Sequence, residues 1–275
     1  MSRILRKIIL SLYTFIIALS FLQVSTASSP VITITTKEYY PLGDNIIVNG
    51  TLTSDGSPIT DGLVAIQIRN PKNETIVIRT LETGGTPSPQ KIFGVDRWPV
   101  ETLTVDPCDS NGNPQSSFLR GKMAYFNVTI RNNIGSEQFA IIELNLFYSD
   151  GTPSQPFPAY NATIAPGPPI WTIVGFNLPS NAPTGTTIVY ACTSNKLPQN
   201  GGIAWCPEKS ATFTIRSTSQ SLTTANTSYQ RTDVAVLGTP GAFSMTFKTS
   251  PYGGILGNYT VYATSKYGGL YGSFA

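Results

Sequence analysis

The stretch "SPYGGILGNYTVYATSKYGGLYGSFA", Ser250–Ala275, decides how this chain is organised. Within it Tyr259, Val261 and Ala263 alternate with Asn258, Thr260, Tyr262 and Thr264. That period of two predicts a half-buried strand. A glycine turn follows, and a short strand runs to Ala275. A lone hairpin buries too little apolar surface to stand in water. The rest of its sheet must come from elsewhere in the chain.

Upstream, Pro and Gly are evenly spread, and strand patterns recur at the spacing of all-β sandwiches. "VITITTK" (31–37) is the first strand. "NIIVNGTLT" (45–53) follows the turn Pro41-Leu42-Gly43-Asp44 and places Ile46, Val48, Gly50 and Leu52 inward. "GLVAIQIRN" (62–70) and "ETIVIRTLE" (74–82) read as a hairpin about Asn70–Asn73. "TGGTPSPQ" (83–90) then reads as a linker. Beyond it come "VETLTV" (100–105), the loop "DPCDSNGNPQSSFLRG" (106–121) and "MAYFNVTIRNN" (123–133), with Ala124, Phe126, Val128 and Ile130 on one face. "FAIIELNLFYS", "NATIAPG", "WTIVGFNLP", "GTTIVYACTS" and "SATFTIRS" complete a sandwich's worth of strands before a second polar linker, "STSQSLTTANTS" (217–228). "GAFSMTFKTS" (241–250) leads into the closing hairpin.

Residues 28–86 supply about four strands and 229–275 about three, each too few for a domain but together an ordinary one. The sequence therefore predicts an all-β chain in which one sandwich, 28–86 with 229–275, is interrupted by a second at 92–217. Insertion at an exposed loop is the tolerated way to nest domains. Three domains in a row would leave two undersized.

Residues 1–27, "MSRILRKIILSLYTFIIALSFLQVSTA", carry Arg3, Arg6 and Lys7, an apolar run and then Ser25-Thr26-Ala27. That is the pattern of a cleaved secretory signal peptide, which implies an extracellular or cell-surface destination. An uncleaved anchor is the alternative, and no later apolar segment reaches spanning length. The chain has 18 basic and 15 acidic side chains, and three of the basic ones lie in this leader, so the net charge beyond it is zero. Nothing there resembles the basic patch a nucleic-acid partner needs.

Cys108, Cys192 and Cys206 suggest one disulfide and an odd thiol in an oxidising compartment. Three pairings are open. Cys192 and Cys206 flank one loop and invite a cross-loop bridge, whereas Cys192 also reads as a small core residue. The sequence has no histidine, which removes the commonest general base and zinc ligand. The acidic residues sit mostly at turns, as Asp55 and Asp61 do, or in Ser/Asp/Gly loops, where turn chemistry accounts for them. Neither catalytic residues, cofactor nor metal is expected. Asp106, Asp109, Asn111 and Asn113 could offer oxygen ligands to calcium, but the spacing fits an Asx-rich turn better. Tyr252, Tyr259, Tyr262, Tyr267, Tyr271 and Phe274 read as core and cross-strand pairing, with a sugar-stacking surface as the alternative. Six N-glycosylation sequons start at Asn49, Asn73, Asn127, Asn161, Asn226 and Asn258, none forced inward by the pattern.

"TKEYYPLGDNIIVNGTLTSDGSPITDGLVAIQIRNPKNETIVIRT" resembles the opening strands of macroglobulin-type immunoglobulin-like domains, where Tyr-x-x-Gly-Asp precedes Val-x-Gly. "GNYTVYA" is similar to the closing strand of that pattern, displaced by the insertion. "AYFNVTIRNN", "IAPGPP", "FNLPSNAPTGTTIVYA" and "GGIAWCPEKSATFTI" resemble the adhesion-related (CARDB-like) immunoglobulin-like modules of archaeal and bacterial surface proteins. The resemblance implies two immunoglobulin-like β-sandwiches, the second inserted into the first, and a Cys108–Cys206 disulfide. Such motifs speak for a fold far more than for a function. The expectation is a non-enzymatic structural or adhesion protein of the cell surface, a filament or surface-layer subunit assembling by β-strand addition, with "SSPVITITT" as donor. Its partners would be further copies, other surface proteins or glycans. A glycan- or surface-partner-binding module is the alternative.

Overall fold

The computed structural model describes residues 29–60, 62–84, 98–217, 239–249, 255–267 and 270–274. The leader, most of both linkers and the sequon at Asn226 lie outside the described residues. The described chain is all-β. Its strands are β1 (Val31–Thr35), β2 (Asn45–Ser54), β3 (Ser57–Pro58), β4 (Leu63–Arg69), β5 (Thr75–Glu82), β6 (Val100–Cys108), β7 (Ser117–Leu119) and β8 (Met123–Asn132). They continue with β9 (Gln138–Phe147), β10 (Phe157–Ile164), β11 (Ile170–Asn177), β12 (Gly185–Ser194), β13 (Lys209–Arg216), β14 (Ala242–Lys248), β15 (Thr260–Tyr267) and β16 (Leu270–Phe274). A 3-10 turn at Pro198–Asn200 is the one helical element among the described residues.

Strands from both ends of the chain share sheets. β14 pairs antiparallel with β2, from Ala242↔Thr51 to Lys248↔Asn45, and β1 pairs with the other edge of β2. In the facing sheet, of order β16-β15-β4-β5, β15 pairs with β4 from Thr260↔Arg69 to Lys266↔Leu63. Ile32, Val48, Leu52, Phe243, Met245 and Phe247 of the first sheet meet Val64, Ile66, Ile68, Val77 and Ala263 of the second in one apolar core. This is the terminal sandwich. Gly50 is the close-approach point: a Cβ there would clash with the edge of the Phe243 ring at Cζ and lie 2.5 Å from the Thr33 carbonyl oxygen. Only glycine lets β1, β2 and Phe243 come together.

The central sandwich is built from residues 100–216. Its sheets have the orders β10-β9-β12-β13-β7 and β11-β8-β6. β8 alternates as the sequence predicts, burying Ala124, Phe126, Val128 and Ile130. Phe126 packs edge-on against Phe213 at 5.4 Å, and Phe213 against Phe118 at 5.5 Å. Within the stretch read as a loop, Ser117–Leu119 forms β7 and pairs parallel with β13. Three residues carry too short a pattern for period-two reading to detect.

β1, read as a donor for a neighbouring molecule, lies in the chain's own sheet, from Val31↔Thr53 to Thr35↔Asn49. β15 also departs from the half-buried expectation, and β4 beside it is likewise covered on both faces. Gln67, Thr264 and Lys266, on their outer face, are buried. The segment around 197–206 of the central sandwich covers that face. Gln199 donates its backbone N–H to Gln67 Oε1 and accepts from Gln67 Nε2, Thr264 Oγ1 donates to the Gly202 carbonyl, and Lys266 Nζ stands 4.9 Å over the Trp205 ring.

Candidate functional site

β5 is the last strand of its sheet, so its outer N–H and C=O groups need partners from beyond the sheet. The central sandwich supplies them. Asn145 Oδ1 on β9 accepts the Ile78 N–H at 3.1 Å, and Glu208 Oε2 accepts the Thr80 N–H at 2.9 Å. Cys192 Sγ on β12 donates to the Ile78 carbonyl at 3.4 Å. Asn145 is itself held by Nδ2 donating to the Ser154 carbonyl.

Arg79 sits between these caps. It lies opposite Ile66 and in phase with Val77 and Leu81, on the inward face of β5, and is fully buried. Its guanidinium grips both Glu208 oxygens, with Nε at 2.9 Å from Oε2 and 3.1 Å from Oε1. The guanidinium carbon lies 3.5 Å over the Tyr190 ring and 5.3 Å from Phe147. Phe147, Ile188, Tyr190 and Cys192 of the central sandwich belong to the apolar core of the terminal one. A bidentate guanidinium–carboxylate pair with an aromatic stacking face is the geometry that lets arginine be buried.

The seam also perturbs its acids and thiols. Burial pushes the Glu143 carboxyl on β9 up to about 7. Burial, then the nearby Glu208 carboxylate, holds the Cys192 thiol well above its ordinary value. A buried thiol kept protonated is a poor nucleophile, so this cluster holds structure together.

At the far end of the terminal sandwich a cleft of about 290 Å³ opens between the two sheets. Val48 and Phe247 wall one side, Ile68 and Val261 the other, and Tyr39, Tyr40, Leu256 and Tyr259 ring it. Tyr40 ties the rim down: its hydroxyl accepts from the N–H groups of Lys37 and Ile47 and donates to the Ile47 carbonyl. Tyr39 and Leu256 are 75 % and 78 % exposed.

The cysteine expectation is corrected. Cys108, Cys192 and Cys206 are all free and buried. Cys206 Sγ accepts the Thr102 N–H, six residues before Cys108 on β6, which sets the two cysteines about 20 Å apart along the strand. The cross-loop bridge fails for a different reason. Cys206 packs with Thr193, whereas Cys192, one residue earlier, points to the opposite face of β12 toward Ile78.

Asp109 closes an Asx turn, accepting the backbone N–H groups of Asn111 and Asn113 and the Asn113 side chain. Those bonds, the Asn113 side chain first, hold its carboxyl below the usual range. Of the sequons, Asn49, Asn73, Asn161 and Asn258 are exposed. Asn127 is half-buried, with Oδ1 enclosed and unpartnered, and its cross-strand neighbour Ile173 lies under Gly112 of the Asp109 turn. The alternation put Asn127 outward, but a loop folded over that face closed it.

No known family profile and no curated protein matches this chain. Among solved structures it is similar to the alkylpurine DNA glycosylase AlkC of Pseudomonas fluorescens (12 % identity, TM-score 0.33, covering 45 % of this chain and 32 % of that one). It is also similar to the C-terminal domain of wzt (10 %, TM-score 0.34, 47 % and 86 %). A third is a trypsin-activated alpha-2-macroglobulin from Escherichia coli (11 %, TM-score 0.27, 68 % and 18 %). The chain thus spans about a third of the glycosylase and under a fifth of the macroglobulin. Likeness at this level carries no argument about activity. What stands is an all-β sandwich architecture.

Proposed function

We propose that this chain is a non-enzymatic, extracellular structural or adhesion protein of the cell surface that works by presenting a stiff, two-sandwich body to further copies or surface partners. In this reading 28–86 and 229–275 form one macroglobulin-like immunoglobulin-type sandwich, and 92–217 is a CARDB-like sandwich inserted into it. The observation that carries the reading is the seam. Phe147, Ile188, Tyr190 and Cys192 sit in the core of the terminal sandwich, and Arg79–Glu208 clamps the boundary. Two domains joined by linkers ordinarily move against each other. A shared core and a buried bidentate pair oppose that motion and suit a body that transmits load. The leader-like residues 1–27 support a surface destination. Immunogold labelling of intact cells, with single-molecule pulling on the purified protein, tests this. Surface label and one cooperative unfolding event are expected. Cytoplasmic label, or two independent events, would defeat it.

The cleft favours a second reading, a binding module for glycans or a surface partner, because Tyr39, Tyr40 and Tyr259 place aromatic rings around an open apolar space. Tyrosine fluorescence titrated with surface polysaccharides distinguishes the two readings. A saturable change lost in Tyr39→Ala supports the binding module, and a flat titration supports the structural one.

A further inference from the structure

Sheet edges are where such a molecule could recruit another strand, and the described edges are not alike. β5 is capped by Asn145 and Glu208. β10 carries Pro158 and a register shift between Pro158 and Tyr160. β7 has three residues, and β1 and β16 only five each. β6 is bulged between Thr102 and Thr104. β14 is met at its start by Gly84, whose N–H donates to the Ala242 carbonyl. These are the ordinary guards against edge pairing.

β11 has none of them. Its eight residues, Ile170–Asn177, contain neither charge nor proline and pair with β8 in unbroken register from Ile170↔Ile130 to Asn177↔Met123. Among the described residues, the sheet order β11-β8-β6 leaves the other edge of β11 without a strand. Trp171 there is 67 % exposed. On the inner face Val174 and Phe176 pack against the central core but stay only half-covered. A strand added at this edge would satisfy the main chain and cover those side chains.

We propose that β11 pairs antiparallel with β11 of a second copy of this chain about a two-fold axis, joining two three-stranded sheets into one. The inference rests on the self-association reading above and names the strand that performs it. An added strand must be extended, bring apolar side chains to both faces, and place no charge opposite β11. β11 itself meets each requirement, with Val174 and Phe176 inward and Trp171 and Ile173 outward. A two-fold pairing of an uncharged strand opposes no like charges, and isologous contacts of this kind are the commonest route to dimers.

The test is sedimentation velocity of the intact protein from about 1 μM to about 0.1 mM, a range that spans micromolar dissociation constants. It is run alongside the Ile170→Lys/Trp171→Lys double variant and Trp171→Phe. Both replaced side chains are exposed, so the fold should survive, and an unchanged circular dichroism melt checks this. The expected result is a wild-type dimer, at least about tenfold weaker association in the lysine variant, and near-normal association with phenylalanine. Amide exchange in β11 should also slow as wild-type concentration rises. If the lysine variant dimerises as wild type does, β11 is not the interface while self-association stands. A wild-type protein that stays monomeric throughout would overturn both.

Discussion

The Arg79 guanidinium grips both carboxylate oxygens of Glu208 while lying 3.5 Å over the Tyr190 ring, with the arginine fully buried on β5 and the acid leading into β13. A buried charge on an edge strand is thereby paired by the other sandwich. Glu208 does a second task, accepting the Thr80 N–H.

Breaking this pair from one side should be costly because it strands a buried charge. Arg79→Met is expected to lose about 3–5 kcal/mol of stability in chemical denaturation. The double variant Arg79→Met/Glu208→Leu should recover part of that loss, since no unpaired charge remains. Equal losses in the single and double variants would show that the pair acts by packing alone.

Glu143 should make stability fall with rising pH. Its folded value, about 7, lies above the ordinary carboxyl value of 4.5, so the folded state holds its proton more tightly. The contribution is full below pH 4.5 and is lost as pH rises through about 7, amounting to at most about 3 kcal/mol. Urea midpoints between pH 4 and 8 should show this decline, and Glu143→Gln should flatten it.

All three thiols should be protected until the protein unfolds. Burial raises Cys206 to about 11 and Cys192 well above its ordinary value, so little thiolate forms at neutral pH. Thiol titration should find none reactive in the native protein and all of them in denaturant, with intact mass showing no disulfide. A mass lower by two hydrogens would contradict the seam geometry.

Gly50→Ala should be disproportionately damaging for a single methyl. The added carbon meets the Phe243 ring and the Thr33 carbonyl, and relief requires β1 or β14 to move. About 1–3 kcal/mol of destabilisation is expected by thermal or chemical denaturation. Adding Phe243→Leu should restore part of it.

Much of the fold is legible in the period-two alternation. Ala124, Phe126, Val128 and Ile130 are buried as their spacing requires, and Tyr259, Val261 and Ala263 face the terminal core. The turn at Asn70–Asn73 is legible too: Asn70 Oδ1 accepts the N–H groups of Lys72 and Glu74, and Asn73 adopts φ 62°. The seam had one unread signal. Arg79 interrupts the inward series Val77, Leu81 with a charge, which an edge strand tolerates only when a partner waits outside it. The sequence alone does not say that the partner is Glu208, more than a hundred residues away.

The division follows from the range of the forces. Alternation, turn residues and the glycine at position 50 act within a strand or between neighbours, so the chain's own order determined the strands, their inward faces and the need for a shared sheet. Which buried polar groups meet depends on how two finished sandwiches dock, and that was decided only in three dimensions. Docking placed Glu208 and Asn145 on the open edge of β5 and covered Lys266 with Trp205.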